Sequence, residues 1–183
     1  MPSWQKIARR IRVPLGFLFA VAYIWLAHPT FHSIVAGSCI ALIGLLVRAL
    51  ASGHVKKNEQ LTTSGPYAYT RNPLYFGSFI LAAGFAVASR SWWIVLIATV
   101  MFFAIYIPVI RSEESFLQRH FPEFEEYANH VPRLFPRLRP YQSSANCFSW
   151  DLYWKHREYN AALGAALMIA AMAVKTMLGA AHR

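Results

Sequence analysis

The sequence predicts an all-α, polytopic membrane protein with about five transmembrane helices. Three observations predict it. Five apolar stretches run over 13–27, 31–50, 74–89, 91–110 and 159–181. Of the 183 residues, 56% are hydrophobic and only 14% charged, against roughly 25% charged in soluble domains. The charges that exist gather at the ends of the apolar stretches, chiefly at alternate ends.

A hydrocarbon core about 30 Å thick takes about 20 residues of helix. The second, fourth and fifth stretches reach that length; the first and third are short. The first follows basic residues, as a signal peptide does, but no small-x-small cleavage site follows Leu26 and four more apolar stretches come after it, so it is expected to be retained. A soluble bundle with buried helices is the competing architecture. Residues 95–110 argue against it, being apolar on every face where a soluble surface helix alternates. The links 28–30 and 89–91 are minimal turns, giving two tight helical hairpins. Gly37, Gly44, Gly77, Gly84 and Gly164 are expected to allow close helix contact. The length suits one domain, 1–183.

Orientation follows from Lys and Arg. With a cytoplasmic N-terminus, 15 of the 18 fall inside, and only Arg90, Lys175 and Arg183 lie at the outer ends. The formal charge of +10 could attract a polyanion, but the basic residues flank apolar runs and build no continuous face, so nucleic acid is not an expected partner. Cys39 and Cys147 have neither metal-ligand spacing nor a disulfide framework around them, and no metal is expected.

The polar material lies in two pieces on the inner side, 51–73 and 111–157. In the first, "LTTSGPYAYTRNPLYFGS" (61–78) joins a Gly65-Pro66 turn to an Arg71-Asn72-Pro73 helix start. Irregular backbone near a membrane is tolerated where protein buries it or a wet cavity receives it. The start of a helix also presents free N–H groups to an acceptor-rich ligand. Tyr67, Tyr69 and Tyr75 offer flat faces to a ring or a cation. An interfacial aromatic belt over a Pro-capped helix explains the same residues. In the second piece, Arg111-Ser112-Glu113-Glu114 leaves the fourth apolar stretch directly, where ionisable groups are costly unless paired, exposed or functional. Phe116, Leu117, Phe121, Phe124 and Tyr127 keep a helical spacing broken at Pro122, giving a C-terminal amphipathic segment. Residues 131–136 form a non-helical strap. If the amphipathic segment lies back on the membrane, Glu113 and Glu114 approach the first loop; a solvated helix face is the alternative.

These residues carry a resemblance. The 61–78 stretch with "RSEESFLQRHFPEFEEYANHVPRLFP" resembles the isoprenylcysteine carboxyl methyltransferase family and, more distantly, the phospholipid N-methyltransferases. It covers 59–136, about two-fifths of the chain. The resemblance implies a membrane enzyme that binds S-adenosylmethionine from the cytoplasm and methylates a lipophilic or lipid substrate entering from the bilayer. It implies cofactor contacts from Glu59, Gln60, Leu61, Thr62 and Tyr67. It matches Asn72-Pro73 and Tyr75 to the family's His-Pro-x-Tyr, and Glu113 and Glu114 to its acidic pair, which holds ribose hydroxyls or the methionine ammonium. Arg111 matches an arginine that orients the substrate carboxylate. Asn72 departs from the family histidine: it donates and accepts hydrogen bonds but carries no proton charge.

A carboxylate acceptor needs no general base, whereas an amine would draw on Glu113 or Glu114. His54 is a further base candidate, or a solvated loop histidine. No Gly-rich strand–helix unit points to a soluble Rossmann-type enzyme. A membrane NADPH-dependent sterol-type reductase and a non-catalytic protein of the same fold are the alternatives.

Overall fold

The computed structural model describes residues 4–56, 60–141 and 147–181, with side chains from 14 to 179. Glu59 lies outside the described residues. All regular structure among them is helical: α1 (Trp4–Leu26), α2 (Phe31–Ser52), α3 (Pro73–Ser89), α4 (Trp92–His120), α5 (Phe124–His130), α6 (Trp150–Lys155) and α7 (Tyr159–Ala181). Phe31–Ser52, Trp92–His120 and Tyr159–Gly179 are long and apolar enough to cross a membrane, while Pro14–Leu26 and Pro73–Ser89 are shorter apolar helices. At 17 residues α3 extends about 26 Å, a little less than the hydrocarbon core. The outward faces carry large exposed apolar side chains, among them Trp25, Leu42, Trp92, Phe103, Leu167 and Met177. A helix bundle surrounded by water does not expose so continuous an apolar exterior.

The hairpin of α2 and α3 is the closest contact in the molecule, and small residues make it possible. A Cβ on Gly84 would stand 2.6 Å from both Ala41 N and Gly37 O, and one on Gly44 would stand 2.6 Å from Leu81 N. No side chain fits there, so the two backbones approach at the distance that small-residue motifs permit. Gly164 differs from the expectation: nothing lies within 4 Å of its Cβ position, because that face of α7 is turned outward.

Hydrogen bonds tie the short turns at the hairpin ends, His28 N donating to Ser89 O at 2.8 Å. Thr30 and Ser33 form a reciprocal capping box at the start of α2, and Ser33 Oγ donates to Ala88 O at 2.9 Å. Arg90 closes α3 in the left-handed conformation, φ 52°. Lys175 on α7 donates to Ile24 O and Ala27 O, each at 2.6 Å. One ammonium thereby satisfies carbonyls that the C-terminus of α1 leaves without intrahelical partners. At the opposite end, Arg48 of α2 pairs with Glu158 and donates to Ser78 Oγ, tying α7 to α2 and α3.

Helix α4 is longer than the apolar stretch that announced it. It passes through a π segment, Phe102–Tyr106, and continues to His120, so Arg111, Glu113 and Glu114 sit on the polar extension of an apolar helix. Inserted π turns recur at functional sites. Pro122 follows the end of α4, as the sequence suggested.

Candidate cofactor site

The segment between α2 and α3 is short of regular structure, so its buried polar groups need partners from elsewhere. A single 3-10 turn, Gly65–Ala68, forms at Gly65-Pro66, with Gly65 at φ 55°. Further partners come from the strap and its continuation to Tyr141, which fold back across the loop. Arg71 N donates to Pro132 O, Arg137 N to Tyr69 O, Tyr141 N to Ala68 O, and Thr70 Oγ1 to Leu134 O, all at 2.9 Å. The hydroxyl of Tyr127, on α5, donates to Tyr67 O at 2.7 Å. Phe124, Tyr127 and Val131 form a small buried cluster beneath the strap, with Leu61, Leu117 and Phe121 against it. The amphipathic segment and the strap thus pack against the loop.

The acidic pair divides its work. Adjacent residues on a helix point about 100° apart, and Glu113 and Glu114 face different partners. Glu113 Oε1 accepts from the Tyr75 hydroxyl at 2.9 Å. Glu114 is buried; its Oε1 accepts from Asn72 Nδ2 at 3.0 Å and its Oε2 from Arg133 Nε at 2.8 Å. Arg71 Nε stands 3.5 Å from Glu114 Oε1, contributing charge without a hydrogen bond, since that nitrogen is buried with no hydrogen-bond partner among the described residues. Asn72 does not cap α3 with its side chain. Its amide nitrogen also donates to Arg133 O at 2.9 Å, and two acceptors on one nitrogen fix the orientation of the amide. A histidine nitrogen carries one proton and cannot donate to both.

Tyr75 stands in the first turn of α3 behind Pro73, its ring edge-to-face with Tyr106 of the π segment at 5.7 Å. Tyr67 is buried, and burial raises its phenol pKa well above the ordinary value, with the charges of Tyr127, Glu113, Tyr75 and Glu158 adding to the effect. Its hydroxyl therefore stays protonated at any physiological pH. Burial likewise raises Tyr127, with Arg71 opposing. Gln60 and Leu61 border a cavity of about 510 Å³ whose walls include Phe121, Glu123, Glu126, Tyr127 and Tyr141; Thr62 is buried beside it.

Of the expected site residues, the structure brings together Tyr67, Asn72, Pro73, Tyr75, Glu113 and Glu114, and places Gln60 and Leu61 at the cavity. Arg111 is exposed on α4 and makes no ion pair among the described residues. Sequence reasoning did not single out Arg71, Thr70, Tyr127 and Arg133 as partners. Arg71 had a signal, its position directly before Asn72-Pro73; Arg133 had none, because its partner is 19 residues away. Among the described residues no three His, Cys, Asp or Glu side chains are grouped as a metal site.

The chain is 39% identical over 110 residues, 60% of its length and 51% of the relative's, to the nickel-cobalt-cadmium resistance protein NccN of Alcaligenes xylosoxydans xylosoxydans. It is 37% identical over 118 residues, 64% of the chain and 52% of the relative, to the cobalt-zinc-cadmium resistance protein CzcN of Cupriavidus metallidurans. To the protein-S-isoprenylcysteine O-methyltransferase of Schizosaccharomyces pombe it is 26% identical over 141 residues, 74% of the chain and 60% of the relative. The chain thus spans about half the length of the two resistance proteins. No solved structure matches it. Residues 15–123, from α1 through the acidic pair, match the phospholipid methyltransferase family, and the chain belongs to that family.

Proposed function

We propose that this protein transfers a methyl group from S-adenosylmethionine to a lipophilic acceptor, a carboxylate, thiol or amine, at the cytoplasmic face of the membrane. The observation that supports this most is the meeting of loop and acidic pair: Tyr75 with Glu113 and Asn72 with Glu114, across 38 and 42 residues of sequence.

The residues present fit such a cofactor, which carries cationic sulfonium and ammonium groups, a carboxylate, a ribose diol and an adenine. Glu113 has one oxygen on Tyr75 and keeps acceptor capacity for a cation or a hydroxyl. Arg71 Nε is a buried donor without a hydrogen bond among the described residues, suited to a carboxylate. Gln60 and Leu61, with Tyr127, Tyr141, Glu123 and Glu126, line a cavity of about 510 Å³ that offers flat faces and acceptors together. When bound, S-adenosylmethionine supplies an electrophilic methyl group.

The protein's own part is positioning and exclusion of water. Tyr75 orients Glu113. Glu114 holds Asn72, Arg71 and the strap in one arrangement, fixing the start of α3 at Pro73. Tyr67 keeps its proton and serves as a donor. A carboxylate acceptor needs no base, while for an amine Glu113 is the candidate base. Arg111, exposed on α4, would orient an acceptor carboxylate before it reaches the cluster. In this reading all five apolar helices cross the membrane with the N-terminus inside.

The test is melting and calorimetry of the detergent-purified protein with S-adenosylmethionine and with NADPH. A methyl-labelled cofactor incubated with membranes follows, counting label in the organic extract. Stabilisation by S-adenosylmethionine and label in the extract are expected. Stabilisation by NADPH instead points to a reductase, and binding of neither to a non-catalytic protein; either result overturns the proposal.

A further inference from the structure

The segment after the strap lines a second pocket at the end of α2, with neither acid of the pair in its walls. Ser149 N donates to Gly53 O at 2.9 Å. The Phe148 ring fills the space where a Cβ on Gly53 would stand, and lies edge-to-face with His54 at 6.2 Å. These contacts seat 147–155 against the end of α2 beside a half-open pocket of about 390 Å³, with His54, Lys56, Asp151 and Lys155 among its walls. His54 Nδ1 donates to Leu50 O at 2.7 Å. Of the lysine and aspartate charges in the walls, two are positive and one negative.

Two neighbouring features give this cavity its setting. Trp150 and Trp154 lie four residues apart on α6, 66% and 58% exposed. They belong to a row of ring contacts from Phe148 to Tyr159. Exposed tryptophans on a short helix beside apolar helices are the residues that settle at headgroup depth. Leu50, one turn before Gly53 on α2, is exposed, as is Leu163 near the start of α7, an apolar flank for acyl chains. A half-open pocket with two lysines and one aspartate in its walls, beside an apolar flank, is the arrangement that basic pockets at the cytoplasmic side of membrane helices offer to anionic lipid headgroups.

We propose that this cavity binds the headgroup of an anionic phospholipid, the phosphate between Lys56 and Lys155 and the chains along α2 and α7. A lysine ammonium serves as a point-charge phosphate donor. Asp151 stands in the same wall and does not repel an uncharged glycerol hydroxyl. The proposal does not depend on the methyl-transfer reading.

The test is melting of the full chain in dodecyl maltoside, titrated with phosphatidylglycerol or phosphatidylcholine of identical acyl chains, and separately with glycerol 3-phosphate. Phosphatidylglycerol should stabilise at a mole fraction at least tenfold lower than phosphatidylcholine. The Lys56→Gln/Lys155→Gln pair should reduce that preference about tenfold or more, since each lysine contributes about one kcal/mol to anionic-lipid attraction; the Arg pair should retain it. Asp151→Asn, which removes the one acid, should strengthen the preference and keeps the test valid if the double variant does not fold. Equal stabilisation by the two lipids overturns the proposal. So does an equal loss of preference in Arg139→Gln, which would mean diffuse surface charge. Stabilisation by glycerol 3-phosphate as effective as that by the lipid would make this a soluble-phosphate site and overturn the lipid assignment.

Discussion

Glu114→Gln separates a carboxylate that holds the protein together from one that meets a ligand. The acid uses both oxygens: Oε1 for Asn72 Nδ2 at 3.0 Å and Oε2 for Arg133 Nε at 2.8 Å, with Arg71 Nε at 3.5 Å. A glutamine amide has a single oxygen. Turned toward Asn72, it sets its NH2 against the Arg133 guanidinium; turned the other way, it sets it against the Asn72 amide. Either orientation loses one hydrogen bond to a charged group, about 1.5–3 kcal/mol, and removes the countercharge of Arg71, whose side chain is 14% exposed. Arg133, 46% exposed, recovers part of the loss from water, so about 2 kcal/mol is the expected cost. For a chain of this size that is a fall in Tm of roughly 4–8 °C. The strap should also loosen, and limited trypsin digestion should cut faster at Arg133, Arg137 and Arg139. Glu113→Gln is the matched control. The Tyr75 hydroxyl can donate to an amide oxygen as to a carboxylate, so the ligand-free melt should stay near wild type. Its affinity for S-adenosylmethionine should fall about ten- to over a hundredfold. If Glu114→Gln melts and digests as wild type does but loses the cofactor, Glu114 is a ligand contact and does not clamp the strap to the loop.

Alkaline pH should destabilise the cap over the loop. Burial holds the Tyr67 and Tyr127 phenols above the ordinary 10.0. Their stabilising effect is therefore complete below about pH 10 and falls as pH rises above it, when the unfolded phenols ionise and the folded ones do not. A Tyr67→Phe variant should flatten the decline of Tm above pH 10, and an unchanged slope would refute the assignment. In the hairpin, Gly84→Ala places a methyl group 2.6 Å from two backbone atoms and should cost roughly 1–3 kcal/mol in a detergent melt. Gly164→Ala, with open space around it, should be neutral. For topology, a chain lacking Cys39 and Cys147 should accept an impermeant thiol reagent on intact cells at Arg90→Cys and refuse it at Arg139→Cys; the reverse would invert the orientation.

The lipid-facing half of this fold was largely legible. Apolar runs, minimal turns and glycines at helical spacing announce α2, α3 and their contact, because those signals are local. They do not say which face each glycine occupies, so Gly164 reads like Gly84 in sequence and only packing separates them. The apolar pattern of α4 stops near 110 and a helical spacing resumes at Phe116, but that both belong to one helix running on to His120 is visible only in the structure. Nothing in Phe-Phe-Ala-Ile-Tyr marks a π segment. In the site, the approach of Glu113 and Glu114 to the loop was expected only on condition that the amphipathic segment folds back, with a solvated helix face as the alternative. Their unequal partners did not, because Asn72–Glu114 and Thr70–Leu134 join positions 42 and 64 residues apart and no periodicity encodes such pairs.

The strap has a consequence for the order in which the molecule can be assembled. The α2–α3 hairpin needs only residues 31–89 to close. The loop between those helices carries Thr70 and Asn72, both buried and both bonded to residues 132–134 or to Glu114. Until the ribosome has delivered those residues, the loop must stay hydrated, because burying its polar groups without partners is costly. The membrane half can therefore form early from local contacts, while the loop and strap close last through distant ones, the slower kind of contact to make. A nascent chain held at α4 would be inserted yet open over the loop. Substitutions in the strap should then appear as a late failure of a single layer, with the helices beneath it already in place.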